Sequence, residues 1–276
     1  MKSKYAYCKE WYYEIINSPS SYYLEPFCIL NNLYFVGTKD SAIHLLDSGD
    51  GLILFDTGYP NMGAHLLQSI WKCGFTPEDI KIILHTHGHF DHFGNTKFLT
   101  TITNAKTYMG REDARMLSEY PKLALCDYFG SIPTEFFKPD AELADGDVIA
   151  LGNAEITAVH TPGHSEGAIT YLFAVSDGSG SYQVTLCGGT GFNTLNKTFI
   201  EEYGLNYRKQ YLQSIERWKG IKTDIYLGNH SPQSHVLEKV ESLKHKAGNP
   251  FINPREWEDY INKLEADFWQ MVEEEG

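Results

Sequence analysis

The segment HTHGHFDH, residues 85–92, places four histidines and one aspartate within eight residues. Imidazole nitrogens and carboxylate oxygens are the donors that zinc accepts, and such an ion takes about four of them at roughly 2 Å. Side chains alternate along an extended backbone, so an HxH pair turns both rings to one side. Two registers satisfy this, His85-x-His87 and His87-x-His89. The second runs on through Phe90 to Asp91 and His92, giving HxHxDH, with a carboxylate and a third imidazole just beyond the first pair. Donors pointing apart from one loop suit two metals a few ångström apart. His85 ends an apolar strand and reads as a packed residue rather than a ligand.

One loop cannot fill two coordination shells, so other histidines must complete them. His164 lies in HTPGHSEGAITY, in a glycine-flanked turn before a strand, and His230 lies in YLGNHSPQ, just after one. Polar loops at strand ends are where binding groups gather. His160 precedes the TPGH turn and is a candidate to support the site, whereas His44, His65, His235 and His245 have no comparable context.

The elements that must position these groups are legible from periodicity and turn residues. NLYFVG (32–37) and AIHLLDSGDGLILFDTG (42–58) read as strands, the latter a hairpin around SGDG. A helix follows, with Leu66, Leu67, Ile70 and Trp71 on one face and Gly74 at its end. IKIILH (80–85) is a buried strand that delivers the histidine motif; TKFLTTI then predicts a short helix and AKTYMG a strand. A helix over 111–117 leads into a long aromatic stretch to residue 140. That stretch is expected to shape a pocket, with Tyr120, Tyr128, Phe129, Phe136 and Phe137 as candidate walls. DVIALGNAEITAVH is a second hairpin, AITYLFAV, YQVTLCGG and TDIYLGNH are strands, and 203–218 and 235–245 are helical. The tail places Trp257, Ile261, Leu264 and Phe268 at helical spacing, a helix at about 254–273 packed on the core. This order suits two packed sheets with helices outside, an α/β fold in four αββα layers. No linker divides it, and 1–276 reads as a single domain.

The totals narrow the function. A net charge of −13 argues against nucleic acid as a partner, because its binders show a basic face. No apolar run is long enough to span a membrane. The N-terminus lacks the apolar core of a signal peptide, which predicts a cytoplasmic protein. Five widely spaced cysteines without a CxxC fit a reduced chain, with Cys8 and Cys28 the one pair to examine.

Taken together, the Asp-Thr-Gly turn at Asp56–Gly58, HxHxDH at His87–His92, TPGH ending at His164 and the late His230 resemble the metallo-β-lactamase superfamily over roughly residues 27–246. The resemblance implies a binuclear zinc hydrolase on an αββα fold. Carried over position by position, it implies that His87, His89 and His164 hold one Zn2+ and that Asp91, His92 and His230 hold a second. Asp56 would then support the metal loop by hydrogen bonds. Many members carry an aspartate that bridges the metals, and the first lactamase subclass has a cysteine there. This chain reads TLCGGTGFN, the matching position is Thr190, and Cys187 falls three residues early. Threonine is a poor zinc ligand, so the pattern resembles the third lactamase subclass.

Two such cations lower the pKa of a shared water toward neutrality, which would supply a bridging hydroxide to attack a carbonyl carbon. Asp91 would be both ligand and orienter of that hydroxide. No GxSxG elbow is present, and none is needed. The expected reaction is opening of a β-lactam ring, or of a similar amide or ester, in a small-molecule substrate. The alternatives are a cytosolic hydrolase of another ester, lactone or thioester, and a non-catalytic metal-binding protein. A nuclease of the superfamily would show the bridging aspartate and a basic path, and a diiron protein would show more acidic ligands; neither pattern appears.

Overall fold

A computed structural model of the chain describes residues 2–245 and 248–275. Twelve strands form two sheets. The first contains β1 (Phe27–Leu30), β2 (Leu33–Phe35), β3 (His44–Asp47), β4 (Leu52–Phe55), β5 (Ile80–Leu84), β6 (Lys106–Gly110) and β7 (Ala141–Leu143), side by side in that order. It is antiparallel as far as β4 and parallel from β4 to β7. The second contains β8 (Val148–Leu151), β9 (Ala154–His160), β10 (Ile169–Ser176), β11 (Ser181–Cys187) and β12 (Ile225–Gly228). There only β11 and β12 run parallel. The helices are α1 (Tyr13–Asn17), α2 (Gly63–Lys72), α3 (Phe90–Phe93), α4 (Thr96–Ile102), α5 (Arg111–Glu119), α6 (Lys197–Tyr203), α7 (Arg208–Lys219), α8 (Val236–Leu243) and α9 (Pro254–Glu275).

Period-two alternation builds the layers. On β4, Ile53 and Phe55 face the second sheet, and Leu52 and Leu54 face α2 and α4. On β12, Ile225 and Leu227 face the first sheet, and Tyr226 faces outward to α9. Between the sheets Phe55 stacks on Phe173, with centroids 5.2 Å apart. Outside the second sheet, Trp218 and Tyr211 of α7 meet Trp257, Ile261 and Phe268 of α9. The result is the expected αββα sandwich, fully buried on both faces of its central strands.

Two local expectations need correction, and one open question closes. Trp71 is 57% exposed and not part of the packed face of α2, which is carried by Leu66 and Ile70. Trp71 stands one residue, about 100° of helix rotation, beyond Ile70, which turns it off the packed face. The helix expected over 203–218 begins only at Arg208, as α7; Tyr203 ends the separate helix α6, which Gly204 caps with a left-handed φ of 69°. All five cysteines are free thiols; the Cys8 thiol bonds Glu10 and the Cys28 thiol bonds the Asn31 carbonyl, so they do not pair. Among the described residues no helix is long and apolar enough to cross a membrane.

Candidate metal centre

The loops that follow β4, β5, β9, β11 and β12 open at one edge of the sandwich. Backbone bonds lock this edge. Ile169 N–H donates to Thr86 O at 2.8 Å, and Ala42 N–H donates to Asn229 O at 3.0 Å. Glycine at 188 is required here, because a Cβ would overlap the Thr86 side chain.

From this edge the structure gathers the six donor residues into two trios, His87, His89 and His164, and Asp91, His92 and His230, all buried except the half-buried His230. In the first, His89 Nδ1 lies 3.0 Å from His87 Nε2 and 3.0 Å from His164 Nε2. Tetrahedral nitrogens at roughly 2.0 Å from a zinc stand about 3.3 Å from one another, close to this spacing. His164 Nδ1–H donates to Gly191 O at 2.8 Å, which leaves its Nε2 lone pair facing the trio. In the second trio, His230 Nε2 lies 3.2 Å from His92 Nε2 and 3.5 Å from Asp91 Oδ2. Three lone pairs aimed at one point cannot all be satisfied by hydrogen bonds among themselves, whereas a cation satisfies them together. Buried Asp91 Oδ1 likewise lacks a partner among the described residues. The donor set therefore fits two metal ions.

Electrostatics separates the trios. Burial, reinforced by the neighbouring rings, holds His87 and His89 well below the usual histidine range and His164 down to about 4, so these rings are neutral donors. Burial also opposes a charge on His92, but Asp91 and Asp56 overcome it and raise that ring to about 10. A metal entering the second trio therefore competes with a proton for His92.

Asp56 lies in the first residue after β4 with φ 62°, a left-handed conformation that aspartate tolerates better than most residues. From there its Oδ1 accepts Thr86 N–H at 2.7 Å, and its Oδ2 accepts the Thr86 hydroxyl at 2.7 Å and His92 Nδ1–H at 2.9 Å. These bonds tie Asp56 to the loop that carries four of the six donors. His85 binds Tyr108 O and the Thr96 hydroxyl and stands outside both trios, as expected of a packed residue. His160 bonds Glu166 O and is not in either trio. Thr190 is committed to Tyr260 at 2.6 Å and to Gln233 at 3.0 Å. Strand alternation turns Cys187 outward into the cluster of α7 and α9, where burial pushes its thiol up to about 12.

A cleft of about 480 Å³ opens over Asp91, His164 and His230. Its wall corrects the expectation for residues 111–140. Tyr5, Tyr7, Trp11 and Tyr12 of the N-terminal segment line it, while Tyr128, Phe129, Phe136 and Phe137 do not. Phe129 is wholly buried beneath Tyr59 and Phe90, and Phe137 packs on His85. Tyr120 lines a second cavity of about 300 Å³ behind His89 and His164. Two further carboxylates carry no sequence signature. Asp40 pairs with His230 Nδ1 at 3.3 Å and accepts the Tyr59 hydroxyl at 2.5 Å; burial works against its charge, but His230 outweighs it and keeps the carboxyl below its usual value. Asp113 is wholly buried, and that burial raises it to about 6 against three hydrogen bonds that favour its charge.

The metallo-beta-lactamase superfamily profile matches residues 36–177, just over half of the chain and including the HxHxDH loop and His164. The chain belongs to the metallo-beta-lactamase superfamily. As a member it is a metal-dependent hydrolase. Among solved structures it is similar to the FEZ-1 metallo-beta-lactamase from Legionella gormanii, with 30% identity and a TM-score of 0.84 over 91% of this chain and 97% of that one. It is also similar to BJP-1, a subclass B3 metallo-beta-lactamase of Bradyrhizobium japonicum, with 30% identity and a TM-score of 0.79 over 91% and 95%. The probable metallo-hydrolase YqgX of Bacillus subtilis is 27% identical over 79% of this chain and 95% of its own length. The matches to two other relatives are shorter. The chain spans 43% of an uncharacterised Aquifex aeolicus protein, at 35% identity, and 41% of a hydroxyacylglutathione hydrolase from Rhodospirillum rubrum, at 29%.

Proposed function

We propose that this chain is a zinc-dependent hydrolase that opens a β-lactam ring, or a similar amide or ester, in a small-molecule substrate. His87, His89 and His164 would hold one Zn2+, and Asp91, His92 and His230 the other. Residues 1–276 would act as one hydrolase domain. The observation that carries the reading is the pair of three-donor trios with a threonine, already bonded to Tyr260 and Gln233, where a bridging carboxylate would otherwise stand. The likeness to FEZ-1 and BJP-1 over nine-tenths of the chain supports the lactam as substrate.

When bound, paired zinc ions lower the pKa of a water toward neutrality and polarise a carbonyl. The chain's own residues do the rest. Asp91 offers a buried Oδ1, without a partner among the described residues, beside the cleft, where it would accept a hydrogen bond from the attacking water and fix its direction. Asp40, anchored by Tyr59, orients His230 through Nδ1. Asn193 and Asn229 border the same cleft, and their buried side-chain oxygens have no partner among the described residues. Tyr7, Tyr12 and Tyr59 shield one side from bulk water.

The match to a hydroxyacylglutathione hydrolase favours a second reading, a cytosolic hydrolase of a thioester, lactone or other ester. The five free thiols support a cytoplasmic setting for either. A substrate panel on the zinc-loaded protein separates them. Turnover of a chromogenic cephalosporin is expected, lost with chelator and restored by zinc. Hydrolysis confined to lactones or thioesters, with the same chelator dependence, would transfer the assignment to the second reading. Metal retained without turnover of any of them would leave a non-catalytic metal protein.

A further inference from the structure

Asp113 lies in the first turn of α5, where a carboxylate ordinarily caps or neutralises its own helix. It does neither. Its Oδ2 accepts Gly88 N–H at 2.7 Å and the Ser165 hydroxyl at 2.7 Å, and its Oδ1 accepts Gly167 N–H at 2.7 Å. Gly88 sits between His87 and His89, and Ser165 follows His164. One carboxylate thus ties together the two loops that carry all three donors of the first trio. The approach is tight by construction. A Cβ on Gly167 would overlap the Asp113 backbone nitrogen, and one on Gly88 would press on Met116 and on Asp113 itself.

The cost of such a position is high. The side chain is fully buried, and its hydrogen-bond partners are neutral. A buried carboxylate without a cation is expensive unless something nearby compensates it. Holding two loops together for stability alone would be achieved as well by apolar packing. What hydrogen bonds to a charged acceptor add is directional rigidity in the backbone on either side of each histidine.

We propose that Asp113 is a positioning residue of the first metal trio, clamping the His87–His89 loop to the His164 loop and thereby setting the affinity of that site for its metal. This rests on the reading of the trio as a metal site. The test is a competition titration with a chromophoric chelator on the full chain carrying His230→Ala, which leaves the first trio to be read alone. In that background Asp113→Asn and Ser165→Ala are expected to weaken zinc binding by about 10- to 100-fold and about tenfold respectively. The visible absorption of the cobalt-loaded protein is expected to shift with them, since its bands report ligand geometry. Thermal melts of the metal-free proteins provide the contrast. A lower melting temperature with unchanged zinc affinity and cobalt spectrum would reduce Asp113 to a stabilising residue and overturn the proposal. If the parent His230→Ala protein binds no zinc at all, the metal reading itself fails and the proposal falls with it. Asp113→Asn preserves shape, and Ser165→Ala removes only one donor, so the result does not depend on a variant that cannot fold.

Discussion

His89→Ala is expected to lose the first metal and the hydrolysis together. The ring is the shared vertex of its trio, with Nδ1 3.0 Å from a nitrogen of each partner. Without it, His87 and His164 supply two neutral donors, about half of what a zinc ion takes. The remaining site can still hold a cation through Asp91, His92 and His230, so metal content should fall by about one equivalent. Loss of the cation that polarises the carbonyl removes several kcal/mol of transition-state stabilisation, which corresponds to a fall of about 10³-fold in kcat/KM. Elemental analysis of the purified variant, read beside turnover, checks both halves. The fold should survive, because the histidine lies in a loop and the sheets' packing does not include it. The companion variant His85→Gln should keep its metal, since His85 spends both nitrogens on Tyr108 and Thr96. Full metal loading in His89→Ala would mean that the HxH pair has been read in the wrong register.

The part of this centre that was legible in the sequence is the part confined to short segments. HxHxDH announces itself because four donor residues fall within one loop, and His164 and His230 stand out because each follows a glycine- or asparagine-marked turn beside an apolar strand. The layers were legible for a similar reason: alternation on β4 and β12 assigns one face to each neighbour before any contact is known. Asp113 gave no such signal. Its three partners lie 25 to 54 positions away, and nothing in REDARML distinguishes a carboxylate that faces solvent from one that faces two loops. Asp40 was hidden in the same way. The cleft wall was misplaced because aromatic content marks a segment as apolar without saying what it covers. Residues 111–140 fold back on Phe90 and Phe93, and the N-terminal aromatics, remote in sequence, line the cleft over the trios instead. Trp71 shows the converse, a large apolar side chain at the right spacing but past the edge of the surface it was expected to cover.

Asp56→Asn should weaken both metal sites while leaving the sandwich folded. The substitution preserves shape, so what changes is the direction of hydrogen bonds. In the parent, Oδ2 accepts from the Thr86 hydroxyl and from His92 Nδ1–H, which leaves His92 Nε2 free to face the second metal. An amide nitrogen in that place can only donate. His92 Nδ1 must then accept, and its proton moves to Nε2, the atom that the metal needs. Thr86 is forced the same way. Once its hydroxyl accepts from the amide, its own proton turns to His87 Nδ1, 3.1 Å away, and the proton of that ring is displaced to Nε2 within the first trio. Turning the amide over does not escape the conflict, because its NH2 would then meet Thr86 N–H, leaving a buried donor unpaired at a cost of about 1–3 kcal/mol. With zinc on the ring Nε2 atoms a buried donor must face another donor in either arrangement, so affinity is expected to fall by about 10- to 100-fold. Chelator competition over both binding steps measures it, with circular dichroism to verify the fold. Unchanged affinity at both steps would show that Asp56 does not set the tautomers, and that the rings are oriented by the loop backbone alone.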